Sequence, residues 1–226
     1  NQTQWVTGKI GGGLLLDGID DMVKTLGYNG IGGNAPRTVS CWVKTTSSSA
    51  NLVLWGRTAT NQRFHFTLES GKVKLDARFN RTRFTTIVND GQWHHLVIVY
   101  PHAVHLSEMK TYIDGSPDPR SGSDHDNPLN TITQNPLQIG TFDGVIDEVR
   151  LFDRALPQAE VLQLYSKELS IADTDGDGYS DSIENAEGTD PENNSSFPGT
   201  DYRNSDLSGF SSSYQNRKFA NFEGTN

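Results

Sequence analysis

Short runs of alternating apolar and polar residues, separated by turn sequences, constrain the fold of this chain more than any other feature. Alternation with a period of two is clear in residues 39–44, 64–68 and 73–77, and it is typical of strands with one buried face. Six further runs have strand length: residues 52–55, 84–88, 93–100, 109–113, 137–139 and 145–152. Turn sequences such as Ser70-Gly71 and Asp114-Gly115 separate them. About ten strands without helices between them predict an all-β fold, an antiparallel β-sandwich or jelly roll.

Two segments depart from this strand pattern. Residues 157–167 have helical character, because Pro157 suits a first turn and Leu162 and Tyr165 can share one face. We therefore expect one short helix after the last strand, packed at the edge of the sandwich. The segment 115–136 is rich in Pro, Ser, Asp and Asn, which predicts a long polar loop.

The acidic residues are concentrated in one part of the chain. The 226 residues include 28 acidic and 19 basic side chains, for a formal net charge of −9. Residues 173–192 contain eight of the acids and no base, and such a cluster repels itself unless it is solvated or neutralised by cations. The acidic balance argues against nucleic acid as a partner. No apolar run approaches the roughly 20 residues of a membrane-spanning helix.

The spacing of the clustered acids is that of a calcium-binding loop. A hard cation takes about six to eight oxygen ligands, and a 12-residue loop can supply them from fixed positions. Positions 1, 3, 5, 7, 9 and 12 are occupied here by Asp173, Asp175, Asp177, Tyr179 (through its carbonyl), Asp181 and Glu184, with Gly178 at position 6. The pattern predicts Ca²⁺ as a cofactor, and the alternative is a solvated acidic turn. The single cysteine, Cys41, excludes a Cys-based zinc site and an intrachain disulfide.

The residues after this loop extend the motif. Glu184 is followed by Gly188-Thr189-Asp190-Pro191, and the whole segment resembles a thrombospondin type 3 repeat of the bacterial kind. The resemblance implies that Asp190 and Asn194 contribute to a neighbouring calcium site. Because calcium is abundant outside cells, we expect an extracellular, secreted or cell-surface protein.

Three segments resemble the laminin-G-like, concanavalin A-like jelly roll of secreted proteins. They are GGGLLLDGIDD at residues 11–21, DGQWHHLVIVY at 90–100 and GVIDEVRLFDRAL at 144–156. The resemblance implies a structural calcium ion held by Asp20 and Asp147, with Asp17 nearby, and the alternative for this Asp-Gly sequence is an ordinary polar turn. Members of the family usually begin with a further strand before the segment that starts at Trp5.

These patterns divide the chain into three parts. Residues 1–169 are expected to form the laminin-G-like sandwich, and residues 170–196 the thrombospondin type 3-like calcium repeat. Residues 197–226 are rich in Ser and Asn but contain six aromatic residues from Phe197 on. This tail either docks on the sandwich or begins a further domain.

The same fold hosts glycoside hydrolases and lyases, so it does not decide function. Hydrolysis of a glycosidic bond requires a pair of carboxyl groups facing one another. Asp147 and Glu148 are adjacent, so we expect them to face opposite sides of their strand. His94 and His95 are not accompanied by a nucleophile motif. We therefore expect no enzyme, and a polysaccharide lyase or glycoside hydrolase is the weakest hypothesis.

A basic stretch suggests what such a sandwich could bind. Five bases, Lys72, Lys74, Arg78, Arg81 and Arg83, fall within twelve residues beside one acid, Asp76. Because Arg pairs bidentately with carboxylate and sulfate, an anionic glycan is a candidate ligand for Arg78, Arg81 and Arg83. Trp55 is a candidate aromatic platform. The alternative for the stretch is a solvated hairpin face.

The function predicted from these features is a non-catalytic, calcium-binding, lectin-like module that binds a polysaccharide or glycan within a larger secreted or surface protein. The alternative is a structural or adhesive spacer, whose partners would be other domains of the same polypeptide or surface proteins.

Overall fold

Two antiparallel sheets of seven strands each face one another. The computed structural model describes residues 4–195 apart from 103–104, 171, 173, 176–179 and 194. The strands are β1 (Gln4–Thr7), β2 (Gly12–Asp17), β3 (Met22–Lys24), β4 (Arg37–Lys44), β5 (Ser49–Gly56), β6 (Arg63–Glu69), β7 (Lys72–Asp76), β8 (Arg81–Ile87), β9 (Trp93–Tyr100), β10 (Lys110–Ile113), β11 (Ser116–Asp118), β12 (Arg120–Asp124), β13 (Gln138–Gly140) and β14 (Asp143–Phe152). Two helices follow, α1 (Gln158–Ser170) and α2 (Asp181–Glu187). The predicted all-β antiparallel sandwich is confirmed.

The strand order joins distant parts of the chain. Sheet A has the order β1-β2-β14-β4-β9-β10-β11, and sheet B has the order β12-β8-β7-β6-β5-β13-β3. Pairs such as β2 with β14 and β5 with β13 are non-local, as expected for a jelly roll. None of the helices among the described residues has the length and apolar composition that crossing a membrane would require.

The segment 115–136 differs from its prediction as one long polar loop. It contains β11 and β12, which are edge strands of sheet A and sheet B, respectively. An edge strand has a neighbour on one side only and is often polar, so apolar alternation does not mark it. The loop prediction is therefore wrong for residues 116–118 and 120–124. A second helix, α2, was also not predicted, and it begins inside the acidic loop at Asp181.

The inward side chains of the two sheets form one apolar core. Strand alternation places Val39, Cys41 and Val43 on the inner face of β4, all fully buried. The lone cysteine thus packs as a small apolar residue, and burial raises the pKa of its thiol. The largest apolar side chains of the core include Trp55, Phe64, Phe66, Phe84, Leu96 and Tyr100.

The charged side chain of Arg37 packs against this core. Arg37 is 0% exposed, and its guanidinium donates hydrogen bonds of 2.6–3.1 Å to the carbonyl oxygens of Ile31, Gly32, Gly33 and Ala35. Burial lowers its pKa to about 10, so the group stays charged at neutral pH. The guanidinium carbon also lies 5.6–5.9 Å from the ring centroids of Trp55, Phe64 and Tyr100.

Helix α1 covers the outer face of sheet A. A second apolar cluster joins Val97, Val99 and Tyr112 of the sheet to Leu156 and Val161. Among the described residues, no helix covers the outer face of sheet B in the same way.

A buried carboxylate fastens α1 to sheet A. Glu168 is 1% exposed and accepts a hydrogen bond of 2.7 Å from Nε1 of Trp42. It also forms an ion pair with Arg150, while Nε2 of His95 lies 3.3 Å from its Oε2. Burial, followed by the charge of Arg150, lowers the pKa of His95 to about 4. His95 is therefore neutral at physiological pH, and Arg150 is the cation that balances Glu168.

Candidate functional site

The outer face of sheet B carries a group of charged side chains, here called the charged strip. Inward residues of β7 such as Val73 and Leu75 lie in the core, so alternation directs their neighbours outward. Five bases against three acids give the strip a charge of +2, on a chain whose formal net charge is −9. Its members are Arg63, Lys72, Lys74, Arg81, Arg83, Glu69, Asp76 and Asp124.

Cross-strand ion pairs order one half of the strip. Lys74 lies opposite Arg83 in the sheet, and both reach Glu69, with Nζ–Oε1 at 2.6 Å and Nε–Oε2 at 2.7 Å. The hydrogen bonds from Lys74 and Arg83 hold the pKa of Glu69 below its usual value. Arg83 also pairs with Asp124, with Nη1–Oδ2 at 3.0 Å.

Asp76 is the centre of the other half. Its Oδ1 lies 2.7 Å from Nη2 of Arg63, and its Oδ2 lies 3.1 Å from Nε of Arg81. Burial opposes ionisation of Asp76, but hydrogen bonds from Arg63 and from the amide of Arg78 outweigh it and lower the pKa to about 2. Arg81 and Arg83, both predicted as ligand-binding residues, are thus held in place by carboxylates.

A cavity opens within the strip. It has a volume of about 210 Å³ and lies between β6, β7, β8 and β12. The strip residues Glu69, Lys72, Lys74 and Arg83 contribute to its wall, and Ser121 adds a hydroxyl group. Lys72 lies opposite Glu69 in the sheet but forms no ion pair within the described part of the chain.

A second cavity, of about 230 Å³, lies where β8, β10 and β11 meet the start of α1. Its one acidic residue, Asp118, is nearly buried and accepts hydrogen bonds from the amides and hydroxyl groups of Thr85 and Thr86. The carboxylate therefore ties the two sheets together. We regard the cavity of the charged strip as the better candidate site.

Two further predicted ligand-binding residues lie in different surroundings. Trp55 is 1% exposed, its ring stacks on Phe64 with centroids 4.3 Å apart, and its Nε1 donates to the carbonyl of Ile31 at 3.0 Å. Trp55 cannot contact a ligand from this position, because strand alternation directs it inward. Arg78 is exposed, at the turn between β7 and β8.

The predicted calcium loop is described in part. Asp173, Asp177 and Tyr179 lie outside the described residues, as does Asn194. Asp181 accepts hydrogen bonds of 2.7 Å from the amide and the hydroxyl group of Thr174. Glu184, at loop position 12, is fully buried, and Asp175 lies at the surface of the loop with partial exposure.

Asp181 also ties the loop to the sandwich. Its Oδ2 lies 3.0 Å from Nζ of Lys9, whose ammonium group sits 5.7 Å from the ring centroid of Trp42. Sequence reasoning missed Lys9, because 172 positions separate it from Asp181 and no local motif marks it. Asp190, predicted for a second calcium site, lies in a turn and accepts a hydrogen bond of 3.1 Å from the amide of Glu192.

Three aspartates meet in the loop after β2. Carboxylate oxygens of Asp17, Asp20 and Asp21 lie within 4.8 Å of one another, and Asp21 accepts a hydrogen bond of 3.1 Å from the amide of Asp17. Asp147, the expected partner of Asp20, is not part of this group. Its carboxylate instead accepts hydrogen bonds from the amides of Ile10 and Glu148, at 2.9 and 2.7 Å.

A β-bulge alters the expected geometry of Asp147 and Glu148. The register of β14 against β4 shifts between Asp147 and Arg150, and Glu148 adopts a φ of 48°. Ile146 and Val149 both contact the core, so the bulge interrupts the alternation that predicts opposite faces for the two acids. Glu148 pairs with Arg150, while Asp147 binds the loop at Ile10. Burial raises the pKa of both carboxyl groups.

Comparisons with solved structures agree with the fold described above. Domain 4 of AbnA, a GH43 extracellular arabinanase from Geobacillus stearothermophilus solved in complex with arabinotriose, has a TM-score of 0.57 at 19% identity, over 73% of this chain and 82% of that one. The binding domain of Paraclostridial Mosquitocidal Protein 1 has a TM-score of 0.56 at 15% identity, over 74% of this chain and 46% of that one. The botulinum neurotoxin serotype D binding domain has a TM-score of 0.53 at 14% identity, over 74% of this chain and 46% of that one. This chain thus spans less than half the length of the toxin binding domains.

Two family models match the chain in the predicted order. The bacterial TSP3 repeat matches residues 173–194, and the concanavalin A-like lectin/glucanases superfamily matches residues 17–162, more than half of the sequence. A comparison with curated proteins gives no match. The resemblance inferred from the three sequence segments is confirmed, and the chain belongs to the concanavalin A-like lectin/glucanases superfamily.

Proposed function

We propose that this chain is a non-catalytic carbohydrate-binding module whose charged strip holds an anionic glycan. The fold is shared with an arabinanase domain that was solved with arabinotriose, which supports a sugar ligand. Helix α1 packs on the outer face of sheet A, whereas the charged strip lies on the outer face of sheet B. The observation that carries the proposal is the cavity between Lys72, Lys74 and Arg83.

The chemistry of the strip suits an acidic sugar. Lys72 forms no ion pair with a carboxylate of the described residues, although it lies opposite Glu69 in the sheet, and the planar guanidinium of Arg83 can bind a carboxylate or sulfate bidentately. Glu69 and Ser121 can bind sugar hydroxyl groups. Since Glu69 and Asp124 orient Arg83 before a ligand arrives, less conformational freedom is lost on binding.

Replacing Lys72 with methionine tests the strip without disturbing its ion pairs. We expect this variant to bind a chondroitin sulfate hexasaccharide about tenfold more weakly than the original protein, a loss of about 1.4 kcal/mol. Isothermal titration calorimetry would measure both affinities, with arabinotriose as the neutral comparison. The original protein should also bind the hexasaccharide more weakly as the salt concentration rises, because exposed charges are screened.

Lys24 provides the matched control. It lies on β3 of the same sheet, outside the strip, and is exposed, so Lys24→Met should leave the affinity unchanged. The proposal is wrong if the original protein does not bind the sulfated hexasaccharide. A second failure, with arabinotriose, would exclude the neutral sugar as well. In that case the spacer function is favoured, since the contact between Lys9 and Asp181 joins the repeat to the sandwich.

We also propose that the acidic loop binds Ca²⁺ and stabilises the fold. All of its predicted side-chain ligands are carboxylates, which suit a hard cation. Glu184, at position 12, is fully buried, and a buried carboxylate needs a compensating positive charge, which supports a bound cation. Asp173, Asp175, Asp177, Asp181 and Glu184 would hold the ion with the carbonyl of Tyr179. An extracellular location follows from this proposal, because loops of modest affinity are filled there.

Chelation is therefore expected to destabilise the protein. At a calcium concentration 100 times the Kd, binding contributes about 2.7 kcal/mol, so adding EDTA should lower the Tm by about 5–10 °C. Asp175→Ala should abolish most of this difference, whereas replacement of the exposed Asp153 with alanine should preserve it. Identical calorimetric melting curves with calcium and with EDTA would contradict the proposal.

A further inference from the structure

The turn between β7 and β8 has an unusual backbone for its residues. Arg78 and Phe79 have φ angles of 59° and 58°, in the left-handed region. Two adjacent residues of this kind in a short hairpin turn are ordinarily Asn-Gly, because a bulky side chain is sterically disfavoured there. The chain thus places two bulky side chains where the backbone favours Asn-Gly.

Neighbouring loops hold this turn in place. The amide of Ala77 donates to the carbonyl of Asn80 at 2.8 Å, and the amide of Asn61 donates to the carbonyl of Ala77 at 2.8 Å. Asn80 is fully buried and exchanges two hydrogen bonds with the backbone of Asn127. Of the seven non-glycine residues with positive φ in the described part of the chain, four lie in these loops: Asn61, Arg78, Phe79 and His125.

The strained turn presents an aromatic ring and a cation to solvent. Phe79 is 56% exposed and therefore contributes little to the core. The guanidinium carbon of Arg78 lies 5.1 Å from the centroid of its ring, so the cation and the exposed ring lie side by side. Strain that the surrounding structure maintains is characteristic of ligand-binding loops. An aromatic face beside a guanidinium suits a sugar ring that carries an acidic group.

We propose that Arg78 and Phe79 form an end subsite for an anionic sugar unit. The exposed ring of Phe79 packs against the C–H groups of the sugar ring, and Arg78 binds its carboxylate or sulfate. This inference rests on the proposed function of the charged strip. Six residues lead from Lys72 at the cavity to Arg78 at the turn, and an extended chain of that length spans at most about 20 Å, so an oligosaccharide can occupy both places.

Exchange of both turn residues tests the subsite with two readouts of opposite sign. A variant that combines Arg78→Asn with Phe79→Gly relieves the strain, and we expect its Tm to rise by about 3 °C. The same variant should bind the chondroitin sulfate hexasaccharide about tenfold more weakly in calorimetric titration. A chondroitin sulfate disaccharide, which reaches only the cavity, should bind both proteins equally. Phe79→Asn alone tolerates the left-handed backbone and should reproduce the loss of affinity for the hexasaccharide.

Each contrary result has a distinct meaning. A Tm that falls would show that the two side chains stabilise the fold, and it would overturn the inference. Hexasaccharide binding that is unchanged in both turn variants but weakened by Lys72→Met would also overturn it, while the strip remained the binding site. An original protein that binds no hexasaccharide would overturn the proposed function and the subsite with it.

Discussion

Replacing Arg37 with methionine is expected to lower the free energy of unfolding by about 3–5 kcal/mol. The side chain is fully buried, and its guanidinium satisfies carbonyl groups between residues 31 and 35. Methionine fills a similar volume but donates no hydrogen bond, so these carbonyls would lose their partners inside the protein. The three aromatic rings around Arg37 would also lose a cation. A decrease in Tm of about 10 °C follows for a chain of this size.

Arg57 provides the control for this experiment. It is exposed, at the end of β5, so Arg57→Met should change the stability by no more than about 0.5 kcal/mol. The free energy of unfolding of Arg37→Lys should lie between those of the two methionine variants, because the ammonium group keeps the charge but cannot reach all of the carbonyl groups. Urea unfolding would measure the three values. Equal stability of Arg37→Met and Arg57→Met would show that Arg37 does not organise this end of the core.

Replacing Glu168 with alanine is expected to lower the free energy of unfolding by about 3 kcal/mol. The carboxylate is almost fully buried, and its loss leaves Nε1 of Trp42 without its acceptor and reduces the charge compensation of Arg150. Since Glu168 lies on α1, the helix should loosen from sheet A before the sheets separate. Hydrogen–deuterium exchange should therefore accelerate first in residues 158–170.

Glu160 is the matched control on the same helix. Its ion pair with Arg154 is at the surface, and exposed pairs contribute at most about 1 kcal/mol, so Glu160→Ala should leave the exchange of α1 nearly unchanged. Uniformly faster exchange throughout the Glu168→Ala protein, without preference for α1, would contradict the role assigned to Glu168.

The strands with one buried face were readable from the sequence. Residues 39–44 and 64–68 lie within β4 and β6, because alternation records which side chains enter the core. The edge strands β11 and β12 were not readable, since they bury few apolar side chains. The bulge at Glu148 also escaped prediction, because it depends on how β14 pairs with β4.

The candidate site was predicted in composition but not in arrangement. The basic stretch was visible, whereas its pairing with Glu69 and Asp124 depends on the register of three strands. Trp55 was predicted as a binding platform but lies in the core. No local sequence signal distinguishes an aromatic residue on the outer face of a strand from one that is buried. The contacts of Arg37, Glu168 and Lys9 join residues that are distant in sequence or depend on loop conformation, so periodicity alone cannot reveal them.

The most direct test of the charged strip is to locate a bound glycan by NMR. A ¹⁵N-labelled sample would be titrated with the chondroitin sulfate hexasaccharide, and the amide chemical shifts would be followed to saturation. We expect the largest shift changes in residues 72–83, with none above background in residues 158–170. Largest changes in another region, or no changes at millimolar oligosaccharide, would contradict the assignment of sugar binding to this face.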